Sequence, residues 1–363
     1  MSVFTRLYRG ETRFDFIGSR RRWYLASGMI LVVCVLSFVL RGFNWGIEFK
    51  GGSQFTIQAK GTSISAKDAE SAFRAAGLEP ADAARIVGSG NTRQVVIKTK
   101  DVTPAEQATV QAKVARELHI SPSIINVQSV SSSWGHEISV KAIEALIVFL
   151  IVVSIYLSIR FQWRMAVAAF IALIHDLVLA AGVYSLVGFE VTPSTVVGLL
   201  TILGFSLYDT VVVFDRVAEN TRDITAGSRM TYSEAANLAV NQTLMRSINT
   251  SVIALLPVAG LLFIGAGVLG VGTIKDLALV LLVGLLSGAY SSLFLATPIV
   301  CDLTEPQPAY RALAKRVQAK RASEAARLAT GEPALAGTGA PRRTGGPAPA
   351  PRPGARPQRS RRR

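Results

Sequence analysis

Residues 193–214 read Pro-Ser-Thr-Val-Val-Gly-Leu-Leu-Thr-Ile-Leu-Gly-Phe-Ser-Leu-Tyr-Asp-Thr-Val-Val-Val-Phe. A helix that crosses a bilayer needs about 20 largely apolar residues, and this stretch supplies them with one charged side chain, Asp209. An ionised group at the bilayer centre costs roughly 2.5–3.5 kcal/mol on insertion scales. The stretch therefore carries two messages. The chain crosses a membrane, and Asp209 needs a partner or a task there.

Five further runs flank it. Trp23–Leu40 is uncharged between Arg22 and Arg41, and the bulky Phe43-Asn44-Trp45 follows where a small-x-small cleavage signal would stand. That predicts a retained first span, not a cleaved leader. A second span is expected from Ala142 to Ile159 and a third between Arg164 and Glu190, with His175-Asp176 inside it. A fifth, Ser247 to Gly265, and a sixth, Thr273 to Ile299, are joined by the Gly-Ala-Gly-Val-Leu-Gly of residues 265–270, read as a loop. The predicted fold class is a polytopic α-helical membrane protein with six transmembrane helices.

Short loops carry Lys and Arg on the cytoplasmic side. Arg6, Arg9, Arg13, Arg20, Arg21 and Arg22 precede span one, Arg160 and Arg164 separate spans two and three, and Arg216, Arg222 and Arg229 separate spans four and five. Residues 188–192 and 266–273 have neither Lys nor Arg. Both termini are thus expected inside, and residues 41–140 outside. Residues 1–22 form the cytoplasmic start, 141–300 hold spans two to six, and 301–363 form a cytoplasmic tail.

Net charge is +15 over 363 residues, which raises the question of nucleic acid. Fourteen Lys and Arg against two Glu between 311 and 363 carry twelve of those charges. After a helix expected at 309–328, the tail is Pro, Gly, Ala and Arg without periodicity, a disordered composition. It reads as a positive tail leaning on anionic lipid, with no specific nucleic acid expected. A contact of Arg359–Arg363 with RNA is the sharper alternative. Cys34 and Cys301 both lie in apolar runs, which excludes a disulfide framework. No zinc-ligand spacing and no Walker loop occurs.

The outside segment reads strand, helix, strand, strand, helix, strand over residues 52–133. Phe55, Ile57 and Ala59 alternate with polar residues. Ser65-Ala-Lys-Asp68 opens a helix that places Ala69, Ala72, Phe73 and Ala76 on one face. Gly88-Ser-Gly-Asn91 is a hairpin signal, and Thr103-Pro104-Ala-Glu106 starts a second helix. This order is the ferredoxin-like pattern. With no nucleophile–base constellation, it reads as a binding or mechanical module.

Charges in the spans divide into two kinds. Glu190, Asp215, Arg216 and Lys275 lie near interfaces, where snorkelling accounts for them. Asp209 lies in the cytoplasmic half of span four, and Arg246 opens span five at matched depth. Two readings stand: a static pair that fixes helix register, or a switchable pair with Asp209 as proton carrier, since Arg stays charged. Lipid favours the neutral carboxyl and a guanidinium favours the carboxylate, so a proton can break and remake such a pair. Asp176 is a further candidate in the relay, while His175 reads more simply as a satisfied buried imidazole. Asn241, Gln242, Asn249, Thr250 and Ser251 form a polar stripe around Arg246. Gly198, Gly204, Gly284 and Gly288 offer small-residue faces for helix packing.

Several motifs together resemble a known family. They are Phe14-Asp-Phe-Ile, Gly46-Ile-Glu-Phe-Lys-Gly-Gly, Ile174-His-Asp, the run from Gly204 to Asn220, Asn241-Gln-Thr-Leu-Met-Arg-Ser and Gly288-Ala-Tyr-Ser-Ser. The chain is similar, from residue 14 to about 301, to the SecF family, the smaller partner of SecD in the bacterial Sec accessory complex and a half-transporter of the RND superfamily. Glu48 and Tyr208 depart from the family's usual Asp and Asn. The resemblance implies assembly with SecD and the SecYEG channel, and use of the proton gradient to draw a preprotein across the cytoplasmic membrane. It places the residues matching Asp209 and Arg246 in the proton pathway, with Asp176 less firmly attached. No cofactor and no hydrolytic chemistry are expected. An intramembrane aspartyl protease is the enzymatic rival, but neither Asp176 nor Asp209 stands in a Gly-x-Gly-Asp element. A passive scaffold of the channel and an RND-type exporter of small molecules are the others.

Overall fold

The computed structural model describes residues 14–59, 64–88, 90–268 and 272–329. The arginines before residue 14, Ser89 of the expected hairpin, residues 269–271 and the tail from 330 onward lie outside them.

Six helices among the described residues are long and apolar enough to span a bilayer. Span one is Arg20–Arg41, span two Ser132–Arg160, span three Trp163–Val187 and span four Pro193–Asn220. Span five runs from Tyr232 to Gly260 and continues through π-helical turns, Leu261–Val268. The glycines at 265 and 267, read as loop, thus belong to a helical segment. Span six is Gly272–Ser291, a π-helical segment Ser292–Ala296, and Thr297–Thr304. Spans two and five begin well before their apolar runs, where strong caps start the helices in polar sequence, and span four runs on past Phe214 to Asn220. Ser131 caps span two, Thr231 with Glu234 closes a capping box on span five, and Thr192 with Thr195 does so on span four ahead of Pro193.

Small residues set the helix packing, as expected where lipid removes the hydrophobic incentive for association. A Cβ on Gly182 would fall 2.2 Å from the Cys34 sulfur, so spans one and three touch there. Ser37 and Ser185 hydrogen-bond across the same seam at 2.8 Å. Gly284 faces Ile202 and Gly288 faces Ser206, which brings span six hard against span four. Gly204 meets nothing within 4 Å and makes no such contact. Large apolar side chains such as Val39, Ile143, Ile159 and Ile253 point outward, away from this core.

Between spans one and two lies an α/β module. β2 (Gly52–Gln58), β3 (Arg85–Val87), β4 (Gln94–Thr99) and β5 (Ile125–Val130) form an antiparallel sheet in the order β3-β4-β2-β5. Helices Ala66–Ala75 and Pro104–Glu117 pack on one face, over Phe55, Ile57, Val95 and Ile97. Both open on complete capping boxes, Ser65/Asp68 and Thr103/Glu106.

Another, two-stranded sheet joins module to membrane helices. β1 (Asn44–Trp45), just after span one, pairs in parallel with β6 (Glu190–Val191), just before span four. The chain then makes one helical turn, Ile47–Lys50, and passes Gly51 (φ +75°) and Gly52 (φ +121°) into β2. A Cβ at Gly51 would sit 2.6 Å from the Ser132 backbone, and one at Gly52 2.6 Å from the Thr99 carbonyl. Only glycine meets both the backbone angle and the clearance there. The Pro308–Ala329 helix follows span six and buries Leu313 and Val317. Among the described residues, 318–329 of this helix group apart from the unit that ends at Val317.

Candidate functional site: two carboxylates among serines

Asp209 is half-buried on span four. Ser247 of span five donates to its Oδ1 at 2.7 Å, and Ser292 of span six donates to its Oδ2. Arg246 does not open span five; it lies mid-helix, because the helix starts at Tyr232. Its guanidinium donates to the Tyr208 hydroxyl at 3.3 Å, and among the described residues no ion pair joins it to Asp209. The direct pair expected from sequence is therefore replaced by two adjacent rungs between spans four and five, Tyr208–Arg246 and Asp209–Ser247. A cavity of about 20 Å³ beside Asp209, lined by Phe205, Tyr208, Thr250 and Ser251, has room for about one water.

Asp176 is 1% exposed. Ser206 of span four and Ser291 of span six donate to its Oδ2 at 2.5 and 2.6 Å, and Ser287 of span six donates to Oδ1 at 2.6 Å. His175 Nδ1 lies 3.2 Å from Oδ1, while the buried His175 Nε2 has no hydrogen-bond partner among the described residues. The simple reading of His175 as a fully satisfied imidazole therefore fails on one of its two nitrogens. A buried carboxylate needs several donors to be tolerated in low dielectric, and three hydroxyls supply them here.

The two carboxylates meet on span six. Ser291 and Ser292 are consecutive, and one serves Asp176 while the other serves Asp209. They stand where the helix widens into the π-helical segment. Such segments are rare and frequent at functional sites. Pro298 lacks the N–H that the Phe294 carbonyl would accept, which accounts for a break in the regular ladder here.

The other charges find partners. Arg160 pairs with Asp215 at 2.7 Å, Arg216 contacts Glu219 and Gln242, and Lys275 sits over the Phe189 ring. Glu190 pairs with Lys98 at 2.7 Å. The polar stripe around Arg246 divides by role. Asn241 accepts from the Phe14 N–H and donates to the Phe14 carbonyl, both at 2.9 Å, and Asn237 accepts from Phe16. These pin the Phe14-Asp-Phe-Ile segment and do not face Asp209. Sequence reading missed the serines. Ser291-Ser292 closes the Gly288-Ala-Tyr-Ser-Ser motif, and two adjacent hydroxyls in mid-span are a readable signal.

At the far end of span six a clasp gathers three helices. Arg20 pairs with Asp302 at 2.9 Å and Glu305 at 3.3 Å, Tyr24 donates to Asp302 at 2.7 Å, and Ser233 donates to Glu305.

Residues 110–306 match the family described as protein export membrane protein SecD/SecF, C-terminal, and residues 36–62 match the SecD/SecF GG motif. The latter covers the Gly51-Gly52 passage. The chain is 50% identical to the protein translocase subunit SecF of Streptomyces coelicolor, over 91% of this chain and 87% of that one. It is 45% identical to the SecF subunit of Mycobacterium tuberculosis, over 89% and 74%. A crystal structure of SecDF from Thermus thermophilus, titled a translocon-associated membrane protein, superposes with a TM-score of 0.72 at 30% identity, covering 82% of this chain and 39% of that one. The chain belongs to the SecD/SecF family of protein export membrane proteins, as a SecF-type accessory subunit of the Sec translocase.

Proposed function

We propose that this subunit, paired with a SecD partner and the SecYEG channel, uses the proton gradient to promote late stages of preprotein translocation across the bacterial cytoplasmic membrane. The observation that carries the reading is Asp209. It is a half-buried carboxylate inside a span, with space for a single water beside it and, among the described residues, no cationic side chain paired directly with it. A charge crossing the field is worth about 2.3 kcal/mol per 100 mV, so a group that takes and releases a proton there can drive work. Arg246, held one rung away through Tyr208, is the fixed positive charge that biases Asp209. Asp176, sealed among its serines, is the second carboxylate of the relay.

The SecD partner is supported by the Thermus thermophilus relative, named SecDF, of which this chain covers 38%. The Lys/Arg bias of the loops supports a cytoplasmic position for both termini. The α/β module then lies outside, and its strand order β3-β4-β2-β5 with two helices on one face supports a ferredoxin-like module. The subunit works by binding and movement, without hydrolytic chemistry of its own.

Replacing Asp209 by Asn tests the proposal against a passive scaffold. The motor reading expects the protein to accumulate and retain its partner but to lose gradient-stimulated translocation. Undiminished stimulation would favour the scaffold.

A further inference from the structure

Span six connects the proton site to the clasp at its far end. Ser292 donates to Asp209, and Ser291 donates to Asp176. The π-helical segment begins at Ser292 and ends at Ala296, and Thr297 bonds the Ser292 carbonyl through its side chain at 3.4 Å. Beyond it, Thr297–Thr304 carries Cys301, wholly buried in the helix core, and Asp302, held by Arg20 and Tyr24. A widened turn followed by Pro298 is the weakest point in the hydrogen-bond ladder of this helix. The hydroxyls of Ser291 and Ser292 are divided between carboxylates of two other spans and the carbonyls one turn back in their own helix, Gly288 at 3.3 Å and Ala289 at 3.2 Å.

We propose that Ser291 and Ser292 are positioning residues of the proton site, and that the Thr297–Thr304 end of span six pivots at the π-helical segment when Asp209 is neutralised. The inference rests on Asp209 as the proton carrier. With Asp209 ionised, the Ser292 hydroxyl donates to a charged acceptor, a bond about twice as strong as one between neutral groups. A proton on the carboxyl removes that charge and weakens the tie, while the Asp176 cage still holds Ser291. The groups around the pair are Tyr208 and Arg246 from spans four and five, His175 and Asp176 from span three, and Tyr290 from span six itself. Arg246 is the one fixed charge among them, so the proton on Asp209 is the event that changes the local field. The pivot would carry Cys301 out of the core and strain the Arg20–Asp302–Glu305 clasp, linking protonation to the first and fifth spans.

Cys301 reports the motion without an added probe site. The parent is the full chain carrying Cys34→Ala, co-expressed with its SecD partner, and the readout is the rate of Cys301 modification by N-ethylmaleimide in native membranes. Asp209→Asn, which mimics the neutral carboxyl, is expected to raise that rate about ten-fold, the equilibrium equivalent of one hydrogen bond to a charged group. Ser292→Ala is expected to raise it similarly and to add nothing to Asp209→Asn, whereas Ser292→Thr, which keeps the hydroxyl, holds the parent rate. Parent rates in both Asp209→Asn and Ser292→Ala, or purely additive effects, would overturn the inference. If Asp209→Asn abolishes gradient-stimulated translocation while Cys301 labelling stays flat, the pivot alone fails. If Asp209→Asn leaves stimulation intact, the proton reading itself has failed.

Discussion

Ser247 donates to Asp209 at 2.7 Å, although the residue beside it, Arg246, is the cation expected to make that contact. The backbone of span five turns the serine hydroxyl into the seam and leaves the guanidinium to reach Tyr208. The charge of Arg246 acts on Asp209 at one remove, with a hydroxyl layer between them.

This arrangement separates charge from hydrogen-bond geometry at position 246. Lysine keeps the charge but not the planar fork. Arg246→Lys is expected to retain a reduced translocation stimulation, roughly several-fold below wild type, and Arg246→Gln to lose it altogether. Tyr208→Phe, which removes the acceptor but no charge, should resemble the lysine variant. Equal loss in all three would show that the hydrogen bond, not the field, is what matters. The measurement is gradient-dependent preprotein import into inverted vesicles, normalised to protein level.

Asp176 is predicted to carry stability as well as function. Removing it in Asp176→Ala strands the buried hydroxyls of Ser206 and Ser287, at about 1–3 kcal/mol for each donor left unsatisfied, while Ser291 keeps the Gly288 carbonyl at 3.3 Å. Asp176→Asn keeps an acceptor oxygen and should fold better. Thermal unfolding in detergent should therefore rank wild type above Asn and Asn above Ala. A relay role predicts that Asn, even where it accumulates, supports little translocation. Full activity in the Asn variant would reduce Asp176 to a structural anchor.

The junction between module and spans depends on Lys98, which is 9% exposed, donates to the Trp45 carbonyl at 3.2 Å and pairs with Glu190. Removing one partner of a buried pair is costly, about 3–5 kcal/mol in well-buried cases, and Glu190 is partly solvated, so Lys98→Met should lose less than that. The double change Lys98→Met/Glu190→Gln should recover much of the loss. Hydrogen exchange across residues 44–52 gives the readout, with faster exchange in the single variant alone. An unaltered exchange pattern in Lys98→Met would show that the β1–β6 pairing suffices.

Glu48 adds a pH dependence to the same junction. Burial pushes its carboxyl up from the usual range, neighbouring Glu190 pushes it further, and one of its oxygens is buried with no hydrogen-bond partner among the described residues. A carboxyl raised in the folded state favours folding below its unfolded pKa, and that contribution is lost as pH rises through the folded value. Glu48→Gln should therefore flatten the pH dependence of the melting temperature and stabilise the protein at neutral pH, by about 1 kcal/mol. A melting temperature lowered at neutral pH would contradict this.

Hydropathy made the six spans legible, since uncharged runs such as Trp23–Leu40 leave little choice in a bilayer. Capping residues made the module's helices legible for the same local reason. Helix ends were less readable where the apolar run stops before the cap does, as at Ser131 and Thr231. Asp209 and Asp176 stood out because a charge in lipid is expensive. Their true partners did not, because serine is neutral to hydropathy and its role depends on rotation about the helix. Arg246 and Ser247 are adjacent, and only the packed helices decide which of them faces the carboxylate.

Proton movement through Asp209 is the central claim, and it can be measured without a preprotein. Wild-type subunit reconstituted with its SecD partner in liposomes holding a pH-sensitive dye should dissipate an imposed proton gradient faster than empty liposomes. The account predicts that Asp209→Asn, incorporated to the same level, returns the rate to that of empty liposomes. Dissipation at the wild-type rate in that variant would contradict it.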